Sequence, residues 1–313
     1  MRPARATAGL KVTPPRPTTI VYAPRLSRKL GVDLVLASET FQYAGSFKFR
    51  AAYNVASNVK QDHIITASSG NFGQAIAYAC SLFNKRCTVV MPATAPKVKV
   101  DAVREHGAEV DLVDVTKKGR LERLAELAKK YPEAYVASPY DDPLVIDGNA
   151  SLADELFALG LDLDFIIAPI GGGGLTSGLV KAVKRIGSKT QVLAAEPLVA
   201  NDAAESFRAG RLMSRPDEGA TIADGAAVLQ LGDSNWEILS QGLAGVIEVT
   251  EEQIKEGVRL LFALANLKAE PTGALAIGAV LAEPARFKGK RVCCVISGGN
   301  ADPALYAKLV EGI

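Results

Sequence analysis

The chain has 313 residues, 48% of them hydrophobic and 22% charged, and its 36 basic and 34 acidic side chains leave a net charge of +2. That length allows one large or two moderate domains. The balanced charge, the lack of a basic block and an aromatic content of only 6% exclude a nucleic-acid-stacking or anionic-membrane surface, and no apolar run is long enough to span a bilayer.

The first stretch, "MRPARATAGLKVTPPRPTT", is rich in Pro, Arg and Thr and lacks the apolar segment of a secretory signal. It reads as an extended or frayed arm to about Thr19, on a cytoplasmic protein. Then "VDLVLAS", "HIITASS", "CTVVMPA", "AEVDLVD", "AYVASP", "DFIIAPIGGGG", "TQVLAAEP" and "RVCCVISGG" follow as strands. Most are apolar on both faces, as parallel strands covered by helices are. Amphipathic stretches lie between them: "GQAIAYACSLFN", "PKVKVDAVREHG", "LERLAELAKKYP", "LTSGLVKAVKRIG", "EEQIKEGVRLLFALANLK" and "GALAIGAVLAEPARF". This alternation predicts an α/β protein with a mainly parallel sheet, with a linker near residues 131–143. The four cysteines, Cys80, Cys87, Cys293 and Cys294, form no CxxC pair and read as buried thiols rather than a metal or redox site.

Three of these strands end in glycine- and serine-rich turns that open helices, where ligands of open α/β sheets bind. "PIGGGGLTSG" lets the backbone approach a ligand and lets successive N–H groups converge on an anion, with a phosphate as the natural occupant and a plain flexible turn as the alternative. It matches neither the Walker A nor the dinucleotide pattern. "SSGNFGQA" presents Ser68, Ser69, Asn71 and helix-start N–H groups to a carboxylate or ring oxygen, or is an ordinary helix cap. "ISGGNAD" puts Ser297 at a strand end. Upstream, "FQYAGSFKFRAA" holds one lysine, Lys48, between Phe47 and Phe49: either it snorkels to water or it is a desolvated amine.

"SFKFR", "SSGNFGQA", "GGGGLTSG" and "SGGN", in this order and spacing, resemble the pyridoxal-phosphate enzymes of fold type II, in particular the threonine/serine dehydratase and serine racemase group. "AAEP", "TIADG" and "EPTGA" add to the resemblance, which runs from about Leu26 to Asp302. It implies a tryptophan synthase β-like fold of two open, twisted, mainly parallel sheet domains with pyridoxal 5'-phosphate in the cleft. A large domain would take residues 1–62 and 141–313, and a small mobile domain 63–140. Lys48 would be the Schiff-base lysine and, once freed, a base for the Cα proton. Gly171, Gly172, Gly173, Gly174 and Leu175 match the phosphate cradle, Asn71 the partner of the ring hydroxyl, and Ser297 the partner of the pyridine nitrogen. Phe41 would stack on the ring.

By the same resemblance Ser68, Ser69, Asn71, Phe72 and Gly73 would bind the substrate carboxylate, with Ser69 on the face opposite the lysine, and Arg120 would assist. Glu196, the Ala200 carbonyl and Asp202 match a divalent-metal site suited to Mg²⁺ or Ca²⁺. Phe72 departs from the family pattern with the loss of a polar contact, and "DGNAS" at 147–151, "SETFQYAGSF" and "FRAA" depart from it too and are expected to ring the substrate pocket. Asp224 either lines the site or caps a turn, and neither His63 nor His106 is assigned a role. The activity implied is a deaminating dehydratase acting on a β-hydroxy amino acid such as L-threonine, L-serine or 3-hydroxyaspartate, in a homodimer. Racemisation and β-replacement stand as alternatives.

Overall fold

In the computed structural model, which describes residues 13–312, the chain builds two sheets. The strands are β1 (Thr19–Tyr22), β2 (Asp33–Ser38), β3 (His63–Ala67), β4 (Arg86–Pro92), β5 (Glu109–Val113), β6 (Tyr135–Val136), β7 (Phe165–Pro169), β8 (Gln191–Pro197), β9 (Val246–Val249) and β10 (Arg291–Ile296). The helices are α1 (Pro24–Leu30), α2 (Lys48–Asn58), α3 (Asn71–Leu82), α4 (Lys97–Glu105), α5 (Arg120–Lys130), α6 (Pro143–Ala158), α7 (Gly174–Ile186), α8 (Asp202–Ala209), α9 (Asp233–Gly242), α10 (Glu251–Ala265), α11 (Pro271–Ala282), α12 (Pro284–Phe287) and α13 (Pro303–Glu311). Among the described residues no helix is long and apolar enough to cross a membrane.

The larger sheet runs β1-β2-β10-β7-β8-β9 and is parallel except for the antiparallel edge strand β1. The smaller runs β5-β4-β3-β6, all parallel. Side chains alternate across the larger sheet, as a pleated strand requires. Val35, Ile166, Cys293 and Val295 enter one core with α6 and α7, while Leu36, Ile167, Cys294 and Ile296 enter the opposite core with α10 and α11. The vicinal cysteines therefore point to opposite faces, and all four cysteines are free and buried. The core of the smaller sheet draws on α2 and on Val145 of α6 as well as on 63–140.

Three expectations change. Residues 1–12 lie outside the described part of the arm, but 13–18 are tied down: Thr18 N donates to Glu155 Oε2 (2.7 Å), and Arg16 and Gln42 exchange hydrogen bonds of 2.9 and 2.8 Å. The linker near 131–143 contains β6 and a turn packed on the tetraglycine. "DGNAS" rings no pocket: it lies inside α6, packed between α2 and α7. A Cβ on Gly148 would sit 2.7 Å from Arg50 O and 2.8 Å from Ala51 Cα, so the α2–α6 crossing admits only hydrogen there. Gly148→Ala is accordingly expected to lower stability by about 1–3 kcal/mol, read from the urea midpoint, because packed backbone has little room to retreat.

Candidate active site

Lys48 opens α2, and the carboxyl end of β10 places it. Phe47 N donates to Ser297 O (2.9 Å), Gly299 N to Gly45 O (3.0 Å), and Ser46 bridges Gly298. Lys48 as a residue is half-buried, but its amine points inward: Nζ donates to Pro139 O at 2.7 Å and lies 5.1 Å from the Phe47 ring centroid and 5.8 Å from that of Phe72. Desolvation lowers its pKa to about 8, because burial penalises the ammonium. This is a desolvated amine, not a snorkelling one. The ring beside it is that of Phe47. Phe41, expected to stack on the cofactor, is 54% exposed, with its carbonyl bonded to Arg16. The neighbouring Arg50 turns away from the site into a buried ion pair with Glu39 and Glu155, so "FRAA" does not line the pocket either.

The tetraglycine turn joins β7 to α7, with Gly173 at φ +96° as the helix cap. The Tyr140 ring lies where a Cβ on Gly172 would be, 2.2 Å from its atoms, and Tyr140 O lies 2.7 Å from a Cβ on Gly174. Asn235 of α9 donates to both Tyr140 O (3.0 Å) and Gly172 O (2.8 Å). Residues 139–140 thus touch the amine on one side and the glycine turn on the other. The first N–H groups of α7, from Gly174 and Leu175, have no partner within the helix and carry its positive dipole end.

The "SSGN" turn precedes α3. Ser68 Oγ accepts from Gly73 N (3.2 Å), which fixes the loop's curvature. Asn71 Nδ2 donates to Glu270 Oε1 (2.8 Å), and its Oδ1 accepts from Asn300 Nδ2 (2.9 Å). Asn71 therefore reaches the "SGGN" loop, where Ser297 Oγ is 1% exposed and unpartnered. Arg120 comes from the N-terminus of α5 to place Nη1 3.3 Å from Ser69 Oγ, and Nη2 3.6 Å from Glu218. Asp224 is largely exposed and pairs with Lys99 of α4 at 3.2 Å. Phe72 is buried in the core of the smaller sheet.

The residues expected to hold a metal sit at the end of β8 and the start of α8. Both Glu196 oxygens accept N–H bonds from α8, from Ala203 and Ala204 at 2.9 Å. Burial, with Asp202 nearby, holds the Glu196 carboxyl well above its usual pKa, and burial pushes Asp202 up to about 7. Both Asp202 oxygens are buried without a hydrogen-bond partner.

Sequence reasoning missed Pro139, Tyr140, Asn235, Asn300 and Glu270. Two of these stood in quoted motifs, Glu270 in "EPTGA" and Asn300 in "SGGN", and went unassigned.

A desolvated amine, a glycine turn at a helix start and an orphaned hydroxyl at a strand end suit an aldehyde cofactor bearing a phosphate and a ring nitrogen: they define an enzyme that works through pyridoxal phosphate. The chain belongs to the family described as pyridoxal-phosphate dependent enzymes, which matches residues 13–298. It is 33% identical over 299 residues to an L-threo-3-hydroxyaspartate ammonia-lyase of a Pseudomonas species, covering 94% of this chain and 93% of that one. It is 32% identical to a serine racemase of Schizosaccharomyces pombe, covering 94% and 92%. Among solved structures, a T.th. threonine deaminase superposes with a TM-score of 0.85 at 38% identity, covering 91% of this chain and 92% of that one.

Proposed function

We propose that the protein is a deaminating dehydratase that converts a β-hydroxy amino acid to its 2-oxo acid and ammonia, with 3-hydroxyaspartate as the first candidate substrate. The observation that carries this is the meeting of the Lys48 amine and the glycine turn across residues 139–140. Bound pyridoxal phosphate supplies an electron-withdrawing ring that acidifies the substrate Cα. Lys48 Nζ would hold the cofactor and, once freed, would serve as the base for the Cα proton. Gly171 to Leu175 would hold the phosphate, Asn71 would bond the ring oxygen, and Ser297 Oγ, buried without a partner, would serve the ring nitrogen. A serine hydroxyl would not stabilise a protonated ring nitrogen as a carboxylate would, which favours loss of the β-hydroxyl, protonated as water, over a long-lived carbanion.

The Ser68–Gly73 turn receives the substrate's α-carboxylate. Arg120, beside Ser69 Oγ, is placed for a second carboxylate, in keeping with the hydroxyaspartate lyase among the relatives. A second reading, racemisation with Ser69 as the opposite-face proton carrier, is favoured by that same Arg120–Ser69 bond and by the racemase relative. A proton NMR time course in heavy water separates the two. With cofactor, Mg²⁺ and 3-hydroxyaspartate, serine or threonine in turn, a growing 2-oxo acid signal supports the dehydratase. Loss of the Cα proton without keto acid supports the racemase, and silence with all three overturns the dehydratase. Arg120→Met is expected to raise KM for 3-hydroxyaspartate on the order of tenfold or more, and that for serine far less.

The division into a large domain (1–62 and 141–313) and a mobile small domain (63–140) belongs to the same proposal, as do the homodimer, which size-exclusion chromatography checks, and the cytoplasmic location. So does a Mg²⁺ or Ca²⁺ ion at Glu196, Ala200 O and Asp202, for which the support is a buried Asp202 carboxylate whose two oxygens lack a hydrogen-bond partner, close enough to Glu196 to raise its pKa. Mg²⁺ at a hundredfold over its Kd is expected to raise Tm on the order of 5 °C in the wild type and not in Asp202→Asn.

A further inference from the structure

We propose that Glu270 is a positioning residue of the reaction centre, acting through Asn71 to set the hydrogen bonds that this amide offers the cofactor's ring oxygen. The inference rests on the placement of that oxygen at Asn71 given above. Glu270 is 7% exposed and sits just before α11, with its N–H bonded to Gly298 O (3.0 Å). A Cβ on Gly298 would meet Glu270 Oε1 at 2.5 Å and Ser46 Cβ at 2.9 Å, so the carboxyl rests on the backbone that carries Ser297 and faces the segment leading to Lys48.

The chain of amides leading to Glu270 has one sense. Ala44 O can only accept, so the Asn300 atom 2.8 Å from it is Nδ2. The same Nδ2 group donates to the Asn71 oxygen at 2.9 Å, which turns Asn71 Nδ2 toward Glu270. Glu270 must therefore accept, and it fixes one of the two Asn71 N–H donors. The other remains to be directed at the ring oxygen. A carboxylate holds that amide with a charge-assisted bond, roughly twice as strong as the bond to a neutral carboxylic acid. Protonating Glu270 loosens the Asn71 clamp and removes a negative charge beside the ring.

Burial, then the Asp224 carboxylate, raises the Glu270 pKa to about 7, against the bond from Asn71 and the charges of Lys99 and Lys268. The charged groups that act on it are Asp224 in the turn before α9, Lys99 of α4 and Lys268 in the loop before α11, and Asn71 at the start of α3 adds the hydrogen bond. The switch between the two forms falls near neutral pH.

The test uses the holoenzyme and reads the absorption spectrum of bound pyridoxal phosphate through neutral pH, together with its dissociation constant. Glu270→Ala is expected to weaken pyridoxal phosphate binding by about tenfold, one hydrogen bond's worth. Glu270→Gln keeps an acceptor and is expected to restore that affinity while abolishing the spectral change centred near pH 7. A wild-type spectral titration in Glu270→Gln, or wild-type affinity in Glu270→Ala, overturns the proposal. Asn71→Ala separates the causes of failure. If it leaves spectrum and affinity unchanged, the ring's placement at Asn71 is wrong; if it alters them while Glu270→Gln keeps the wild-type spectral titration or Glu270→Ala keeps the wild-type affinity, the role of Glu270 alone is wrong.

Discussion

Lys48→Ala is expected to abolish turnover, by a factor on the order of 10⁴ or more, since it removes both the covalent anchor and the base for the Cα proton. The measurement is twofold: initial rates of 2-oxo acid formation, and the mass of the intact protein after borohydride reduction. The wild type should gain one covalently fixed cofactor and Lys48→Ala none. Lys48→Arg keeps the charge and the bond to Pro139 O but not a neutral nucleophile, and should fail in the same way. Because burial lowers the Lys48 pKa to about 8, the neutral amine is the minor form below that pH and the major form above it. The rate at which the apoprotein takes up pyridoxal phosphate should rise with pH to about 8 and then level. A Lys48→Ala protein that turned over within tenfold of wild type would place the chemistry elsewhere.

Arg50→Ala carries the largest expected loss of stability, about 3–5 kcal/mol, because it strands a buried carboxylate. The guanidinium donates from Nε and Nη2 to Glu39 at 2.8 and 2.9 Å, from Nη1 and Nη2 to Glu155 at 2.7 and 2.9 Å, and from Nη1 to Ser151 at 3.1 Å. Burial opposes its charge, but the bonds to the two glutamates outweigh that and keep it protonated. Glu39 has no access to water, whereas the Glu155 side chain is 31% exposed. Urea unfolding should therefore separate the partners. Glu155→Gln should cost about 1 kcal/mol, as half-exposed pairs do, and the double change Glu39→Leu with Arg50→Met should recover much of what Arg50→Ala loses. Equal losses for the two glutamates would sink this account.

Which features could be read from the sequence follows from how far apart their causes lie. β3, β7, β8 and β10 were legible because strands buried on both faces leave unbroken apolar runs. β1 and β9, four residues each at the sheet edges, leave no such trace. The middle of α6 holds Gly148, Asn149 and Ser151, which favour turns locally, so its helicity is imposed by the packing of α2 and α7. The placing of Lys48, the glycine turn and Ser297 beside strand ends could be read because each stands in a compact motif. The contacts of Arg50 could not, since Glu155 lies 105 positions away, and neither could those of Glu270, whose partner Asn71 lies 199 positions away. The exchange of Phe41 for Phe47 reflects a local three-dimensional fact. The short 3-10 turn at Tyr43–Gly45, with Ala44 at φ +56°, lies between Phe41 and the amine, and the ring beside Lys48 is that of its chain neighbour.

The return from the smaller sheet, Ser138 to Asp142, is pinned at nearly every residue. Pro139 O accepts from Lys48, the Tyr140 ring covers Gly172, Asp141 accepts from the N–H groups of Asp233 and Ser234, and Asp142 caps α6 through Leu144 N. That makes it a connection of fixed length. A single inserted residue would pull the amine's acceptor out of register with the glycine turn it adjoins, whereas the exposed turn at 116–119 could take several. A stretch whose Pro, Asp and Tyr content reads as a spacer is thus the part of the chain where insertions and deletions should be tolerated least.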